Sequence, residues 1–478
     1  MKRTHSLLLA CLAPALLLAC GEAPGTNGDD APGPDAGPDG GTNVTDGCPS
    51  MFRQDVLPTY ELDIAPGEWA ELEQEFHHRA ENEAAGLNTK PYHPVQRFQY
   101  VADGVRLEAT GVQIRLKGNS SWAQTIAFDS NPKMQFVISF NELGAGGQGD
   151  SGGRFLGVRK IELDMPRTDQ TFIRQRLALS YLRETGIPAQ CANNARLVIN
   201  GQYYGLYTNL ERFDKEFLQR NYGHDEDDGD LWSGGRILEN NETTFTWDRI
   251  DAFWAIDNVA QLDGLSDLDA SLREWAAEMV AGDVDGYGNG GANFMIYDHP
   301  TRGFIWLPTD ADTSFDPDFL PADSSPVFAP SPFRWELDWY HYLVVMNDPA
   351  GFERFVGALA AMRAEYDVAA LQRDIDTWTA QIADAAAADP RRPFTMGAHA
   401  QSVAVSRTYV ADRARAIDAW LACRRDGGPD RDNDGHDLCH DCDDRQPGVN
   451  PGAPEACNLR DDDCNGQVDD VAQGQACE

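Results

Sequence analysis

Acidic residues carry the chemistry legible in this chain. In Asp283-Val-Asp-Gly-Tyr-Gly-Asn-Gly-Gly-Ala-Asn a carboxylate, Asp285, stands in a glycine-rich loop that ends on a side-chain amide, Asn293. Phe294 to Tyr297 then reads as a strand, Asp298 to Gly303 as a turn and Phe304 to Leu307 as the returning strand, with Asp310 and Asp312 just beyond. A hairpin in that place folds the second pair of acids back beside the first. One carboxylate able to accept a proton, with an amide and another carboxylate able to hold a hard divalent cation, is equipment for acting on a hydroxyl and an anionic group together. Glycine-rich turns also carry Asp for structural reasons, so the order of the groups counts for more than their number.

A second acidic pattern lies in the tail. Asp430-Arg-Asp432-Asn-Asp434-Gly435 places side-chain oxygens at alternate positions before a glycine that permits a sharp bend, and Asp441 falls at the twelfth position, as in calcium loops. Asp461-Asp-Asp463-Cys-Asn465-Gly466 repeats the device, with Asp469 and Asp470 after it. The expected ligand is Ca²⁺, held by Asp430, Asp432, Asp434 and Asp441 in one loop and Asp461, Asp463, Asn465 and Asp469 in the other. The competing reading is an acidic spacer kept solvated by its charge. Cys439-x-x-Cys442 also allows zinc or redox chemistry, but the Asp-rich surroundings favour oxygen ligation.

The elements that must position these groups are mixed. Gly111 to Lys117 and Met134 to Phe140 alternate as strands, and GNSSWAQTIAFDSNPK between them reads as a polar loop. Phe155 to Leu163 is a further strand candidate. A helix is expected after Thr168 or Asp169, running through Phe172-Ile173, Leu177 and Tyr181 and stopping at Gly186-Ile187-Pro188. Arg196 to Ile199, Asn200-Gly201 and Tyr203 to Thr208 form the clearest hairpin, because Asn-Gly supplies the positive φ angles of a type I′ turn. Residues 337 to 423 read as mostly helical, most plainly at Leu371 to Ile382 and Ser406 to Leu421. The fold class is α+β.

The chain has 478 residues and a net charge of −38, which excludes nucleic acid as a partner because a polyanion needs a basic footprint. With 42% hydrophobic residues it can bury a sizeable core. Residues 1–20 read as a lipoprotein signal: Lys2 and Arg3, an apolar run from Leu7 to Ala19, then Leu17-Leu18-Ala19-Cys20, with Cys20 as the lipidated residue. An ordinary secretory signal is the alternative, and both export the chain. Gly21 after that cysteine favours an outer-membrane or surface location in a Gram-negative host. Residues 21–47 are a Gly/Pro/Asp tether. Beyond it, no apolar run approaches the ~20 residues needed to cross a bilayer. Cys48, Cys191, Cys423, Cys439, Cys442, Cys457, Cys464 and Cys477 form an even set that in an exported chain reads as disulfides, with the pairing open. The borders are residues 48–423 for the large domain and 424–478 for the tail. No zinc-spaced histidines and no nucleophile-elbow serine are visible in the large domain.

GVQIRLKGNSSW, NPKMQFVISF, FLGVRKIELD, TFIRQRLALSYLRETGIPA, RLVINGQYYGLYTNLERFDKEFL and DGYGNGGANFMIYDHPTRGFIWLPTDADTSF together resemble the spore-coat protein H (CotH) kinase family, over about residues 55 to 420 and in the family's order. The resemblance implies an atypical protein-kinase-like domain that uses ATP with Mg²⁺ or Mn²⁺ to phosphorylate Ser or Thr of an exported protein. On it, Asp285 looks like the catalytic Asp, Asn293 a metal ligand, and Asp312 or Asp310 the Mg²⁺-binding acid, in the manner of kinase catalytic loops. Lys133 matches a basic position that contacts phosphates, with Lys117 the competitor for that role. Asn119, Ser120 and Ser121 would present backbone N–H groups to phosphate. Glu211 closes the second hairpin near a nucleotide-facing edge, or else pairs on the surface with Arg212 or Lys215. The tail through PGAPEACNLRDDDCNGQVDD resembles the Asp/Cys-rich metal-binding repeats of myxobacterial surface proteins and, loosely, thrombospondin type 3 repeats. Gln175 stands where many relatives carry Glu, so the usual kinase Lys–Glu pair cannot be placed there. A catalytically silent, kinase-like scaffold or adhesion lipoprotein with a calcium-binding tail is the second reading.

Overall fold

The computed structural model describes residues 47–88, 90–118, 120–140, 153–235, 237–239, 247–327, 340–458, 460–465 and 469. Nine strands form the larger sheet: β1 (Thr59–Asp63), β2 (His93–Val95), β3 (Arg97–Ala102), β4 (Val105–Ala109), β5 (Val112–Leu116), β6 (Phe136–Ser139), β7 (Lys160–Asp164), β8 (Ala192–Ile199) and β9 (Gln202–Glu211). Their order is β2-β5-β6-β7-β9-β8-β1-β3-β4, and only β1 and β8 run parallel. A smaller antiparallel sheet, ordered β11-β10-β12-β13, comprises β10 (Asp230–Ser233), β11 (Ile237–Leu238), β12 (Phe294–His299) and β13 (Gly303–Pro308).

Local sequence explains most of this. β1 and β5 alternate buried and half-buried residues, the period expected when one face meets a core. The β8–β9 hairpin turns at Asn200 (φ +50°) and Gly201 (φ +77°), the pair of positive angles that a type I′ turn demands. The hairpin expected ahead of Asp310 forms as β12 and β13, with Met295 opposite Leu307 and Tyr297 opposite Ile305.

Three expectations need correction. The stretch between β5 and β6 is not a polar loop throughout, because Ser120–Phe128 is helical. It has no Gly or Pro, and Trp122 anchors it by donating Nε1–H to the Phe76 carbonyl (2.8 Å) and stacking on the Phe76 ring. The strand expected from Phe155 is regular only over β7, since Leu156 and Gly157 take positive φ and turn the chain before it. The next helix starts at Arg174, not Asp169. Asp169 accepts from the Thr171 and Arg174 backbone N–H groups, while Phe172 (φ +64°) holds the chain out of helical geometry until its ring is buried.

Helices Leu268–Ala281, Pro349–Glu365, Val368–Ala388 and Met396–Asp426 pack around Trp275, Trp306, Tyr342 and Phe355, and this core reaches the smaller sheet. A separate core lies between the larger sheet and helices Pro66–His77 and Ser120–Phe128. Arg413 is wholly buried and ties the layers together by donating to the carbonyls of Met279, Ala322 and Ser324. Disulfides join Cys48 to Cys191, Cys423 to Cys439, and Cys442 to Cys464. The second of these fastens the acidic tail to the last long helix. Among the described residues no helix is long and apolar enough to cross a membrane.

Candidate active site

A cleft of about 840 Å³ opens between the two sheets. The larger sheet supplies its floor, and strand register decides which residues form it. Arg115, Val137, Glu162 and Leu210 stand opposite one another across β5, β6, β7 and β9, and all four line the cleft. Lys117, Gln135, Asp164 and Thr208 line it one step along. Because side chains alternate across a sheet, the residues between these rows point into the opposite core.

Lys117 lies in this floor against two carboxylates. Its Nζ lies 2.7 Å from Glu162 Oε2 and also contacts Asp164 Oδ1. Burial opposes its charge, but Asp164 and Glu162 outweigh that and raise its pKa. Desolvation opposes the charge of the half-buried Glu162 too, yet Lys117 and Arg212 pull it down to about 2, whereas burial leaves Asp164 raised. Lys90, Arg115, Arg167 and Arg212 add positive charge along the same cleft.

The opposite wall carries the acids. Asp285, in the loop between helix Leu268–Ala281 and β12, accepts a 2.8 Å hydrogen bond at Oδ2 from Asn293 Nδ2. Asn293 reaches it from a left-handed backbone conformation (φ +48°) immediately before β12. That amide keeps its carbonyl oxygen for another partner. Burial lifts Asp285 to about 6 against the opposing Asn293 hydrogen bond. After β13, Asp310 (φ +50°) accepts from Gln175 Nε2 at 3.3 Å, and Asp312 accepts from the Thr168 hydroxyl. Desolvation by the cleft walls raises both, although the Asp310 side chain stays open to solvent, with repulsion from Asp312 adding to the shift of Asp310, and Asp312 stands at about 7. Behind them Asp283 accepts from Thr313 Oγ1 (2.6 Å) and from the Asp285 N–H, and Glu278 accepts the Gly288 N–H at 2.8 Å. These bonds brace the glycine-rich loop from below.

The structure thus brings together Asp285, Asn293, Asp310, Asp312, Lys117, Ser120 and Ser121. Asn119 lies outside the described residues. Lys133 does not reach the cleft, contrary to the role the resemblance suggested. It is 2% exposed, its Nζ pairs with Asp389 Oδ2 at 2.7 Å, donates to the Leu206 carbonyl and lies over the Tyr207 ring. Gly205 leaves room for it, since a Cβ there would sit 2.7 Å from Lys133 Cε. Glu211 is likewise away from the cleft. It is buried, accepts the Cys191 N–H and pairs with Arg220 rather than with Arg212 or Lys215. Sequence reasoning missed Glu162 and Asp164, although their two-residue spacing in KIELD marks one face of a strand. It also missed Glu278, which looks like an ordinary helix-surface acid.

In the tail, Asp432, Asp434 and Asp441 bring carboxylate oxygens within 4.8 Å of one another, as do Asp430, Asp432 and Asp444. The Oδ2 atoms of Asp432, Asp434, Asp441 and Asp444 are buried without a hydrogen-bond partner. Orphaned oxygens converging in this way suit a hard cation. Asp444 was not foreseen, because it lies beyond the twelve-residue loop pattern. Cys439 and Cys442 are held in disulfides, which removes the thiolate zinc alternative. In the second repeat, Asp461 Oδ1 and Asp463 Oδ1 both accept the Asn465 N–H, and Asp469 Oδ1 accepts the Asn458 N–H. Gly466 and Asp470 lie outside the described residues.

The sequence profile of the CotH kinase protein family matches residues 114–417, and that of a metal-binding motif, the MopE copper-binding type, matches residues 441–470. The inner spore coat protein H-like protein of Bacillus subtilis is 35% identical over 68 residues, 14% of this chain and 22% of that relative's length. Among solved structures, the proinflammatory kinase CtkA of Helicobacter pylori aligns at 11% identity with a TM-score of 0.31, covering 56% of this chain and 90% of that one. The HipA toxin–antitoxin complex of Shewanella oneidensis aligns at 13% identity and the same TM-score, covering 60% and 66%.

Proposed function

Because the chain belongs to the CotH kinase protein family, we propose that it is an atypical protein kinase that moves the γ-phosphoryl group of ATP onto a Ser or Thr hydroxyl of an exported protein. The observation that carries this reading is the cleft itself, with Lys117 on the floor facing Asp285, Asn293, Asp310 and Asp312 on the wall. Val137, Leu210 and Met295 give the cleft an apolar stretch suited to a nucleobase, and Lys117 with Arg115 and Arg212 meets the phosphates.

Asp285 takes the acceptor hydroxyl proton as the new oxygen–phosphorus bond forms and the bond between the γ-phosphorus and the β–γ bridging oxygen breaks, leaving ADP. Its pKa of about 6 suits a base working near neutrality. Asn293, Asp310 and Asp312 would hold Mg²⁺ or Mn²⁺. Their donors are hard oxygens, and repulsion from Asp312 raises Asp310 by more than the nearby Lys117 lowers it, so a cation is favoured between them. Bound there, the cation would offset charge on the phosphate oxygens.

The tail holds a metal ion with carboxylate oxygens, and the donor set favours Ca²⁺. The Lys2 to Cys20 segment directs export and lipid attachment at Cys20, so that the kinase acts from the envelope or cell surface. The test is Mg²⁺- or Mn²⁺-dependent ATP consumption and autophosphorylation by the purified chain beside Asp285→Ala and Asp312→Ala. Activity lost in both variants supports the reading. No turnover and no nucleotide-induced rise in melting temperature sinks it.

A further inference from the structure

The tail's first acidic loop touches the segment that carries the cleft acids. Residues 313–327 follow directly from Asp312. Phe315, with φ +57°, donates its N–H to the Ala281 carbonyl, and Asp316 pairs with Arg174 (2.7 Å). Arg174 also reaches the Asp312 carbonyl, and Phe319 lines the cleft. The far end of this segment meets the tail. Asp323 and Ser324 border a crevice with Asp441 and Asp444, and Arg445 bridges Asp443 (2.9 Å) and Asp323 (3.1 Å).

Two further connections fix the tail to the same segment. The Cys423–Cys439 disulfide and the packing of Leu438 into the main core hold the loop to helix Met396–Asp426. From that helix, Arg413 grips the Ala322 and Ser324 carbonyls. Asp441 and Asp444 are each 5% exposed, and the Oδ2 atom of each has no hydrogen-bond partner. Asp432 joins Asp441 and Asp434 in one triad of carboxylates and Asp444 and Asp430 in another, and Arg431, 3.5 Å from Asp444 Oδ2, offsets only part of the repulsion among them, which a cation bound there would relieve.

We propose that the Asp432, Asp434, Asp441 and Asp444 cluster is an effector site for a hard divalent cation, Ca²⁺ by its all-carboxylate donors, and that filling it orders residues 313–327 and so the position of Asp312 in the cleft. Cation binding draws the four carboxylates together and fixes the turn from Asp441 to Arg445. The guanidinium of Arg445 is thereby held against Asp323, and the segment is pinned at its far end by the tail as it is at its near end by Arg174. The tail then does more than space the domain from a surface. What the cleft does with an ordered Asp312 rests on the kinase reading. The ordering itself does not.

The experiment is hydrogen–deuterium exchange on the full chain with and without CaCl₂, beside a calorimetric titration of CaCl₂ and a titration of ADP with Mg²⁺. Saturating Ca²⁺ is expected to slow exchange in residues 313–327 by about fivefold or more, a coupling of ordinary allosteric size. The protection should vanish in Asp441→Asn/Asp444→Asn. Arg445→Ala should keep Ca²⁺ binding and lose at least half of the protection. Protection confined to residues 428–444, or no heat of Ca²⁺ binding, overturns the proposal. Protection of 313–327 without any ADP binding would uphold it and overturn the kinase reading instead.

Discussion

Replacing Lys133 by Met separates a lysine that holds the fold from one that meets a nucleotide. Lys133 and Asp389 have side chains 2% and 0% exposed, so the change strands a buried carboxylate. Losing one partner of a buried pair costs about 3–5 kcal/mol. Asp389 retains the Leu206 and Arg391 N–H groups (2.9 and 2.8 Å), which argues for the lower end, about 3 kcal/mol. Urea unfolding followed by tryptophan fluorescence should show that loss. A cycle with Asp389→Asn should return a coupling of about 2 kcal/mol. At temperatures where Lys133→Met remains folded, its affinity for ADP should equal that of the parent. Lys117→Met should do the reverse. Arg212 stays 2.8 Å from Glu162, and Asp164, already raised by burial, can take a proton, so stability falls by less than about 2 kcal/mol. Phosphotransfer should drop about a hundredfold or more, the usual cost of removing one donor aimed at developing charge. If Lys133→Met left stability within about 1 kcal/mol and instead weakened ADP binding tenfold, the reasoning from the buried pair would be refuted.

Burial raises Glu274 to about 8, Asp283 to about 7 and Asp312 to about 7. Between the usual carboxylate range and these values the folded state binds more protons than the unfolded one, so in a chelating buffer the melting temperature should fall as pH rises from 5 to 8. Mg²⁺ should flatten that slope through Asp312, and a slope of opposite sign would contradict the placement of these acids. Glu278→Ala should remove the carboxylate that accepts the buried Gly288 N–H, costing about 1–3 kcal/mol, and should lower kcat more than it raises KM for ATP. Glu278→Gln, which keeps an acceptor oxygen, should recover most of the loss in the same assays.

Much of this geometry is local and was readable as sequence. The Asn200-Gly201 turn, the hairpin that returns Asp310 and Asp312, and the loop carrying Asp285 and Asn293 each depend on a few neighbouring residues with fixed φ requirements. What escaped was set by long-range register. Glu162 and Asp164 look like the solvated face of a strand until the smaller sheet closes over that face. Lys133 looks exposed beside Pro132, and only the approach of Asp389 from 256 residues away makes it a core residue. Asp444 joined the tail site for the same reason, folding back onto Asp430 and Asp432 from outside the loop pattern.

Position 175 shows how a local departure is absorbed by the tertiary structure. A helix Glu would ordinarily anchor the cleft lysine, and here the residue is Gln. Lys117 is already held by two carboxylates of β7, so the helix has no charge to supply. Gln175 instead donates its amide to Asp310, an acid whose pKa is raised by desolvation at the cleft wall and by the neighbouring Asp312. A carboxylate at that position would bring a further negative charge against Asp310 and raise the cost of ionising it. The amide lowers that cost, so the same substitution that removes the familiar ion pair helps keep Asp310 available as a ligand.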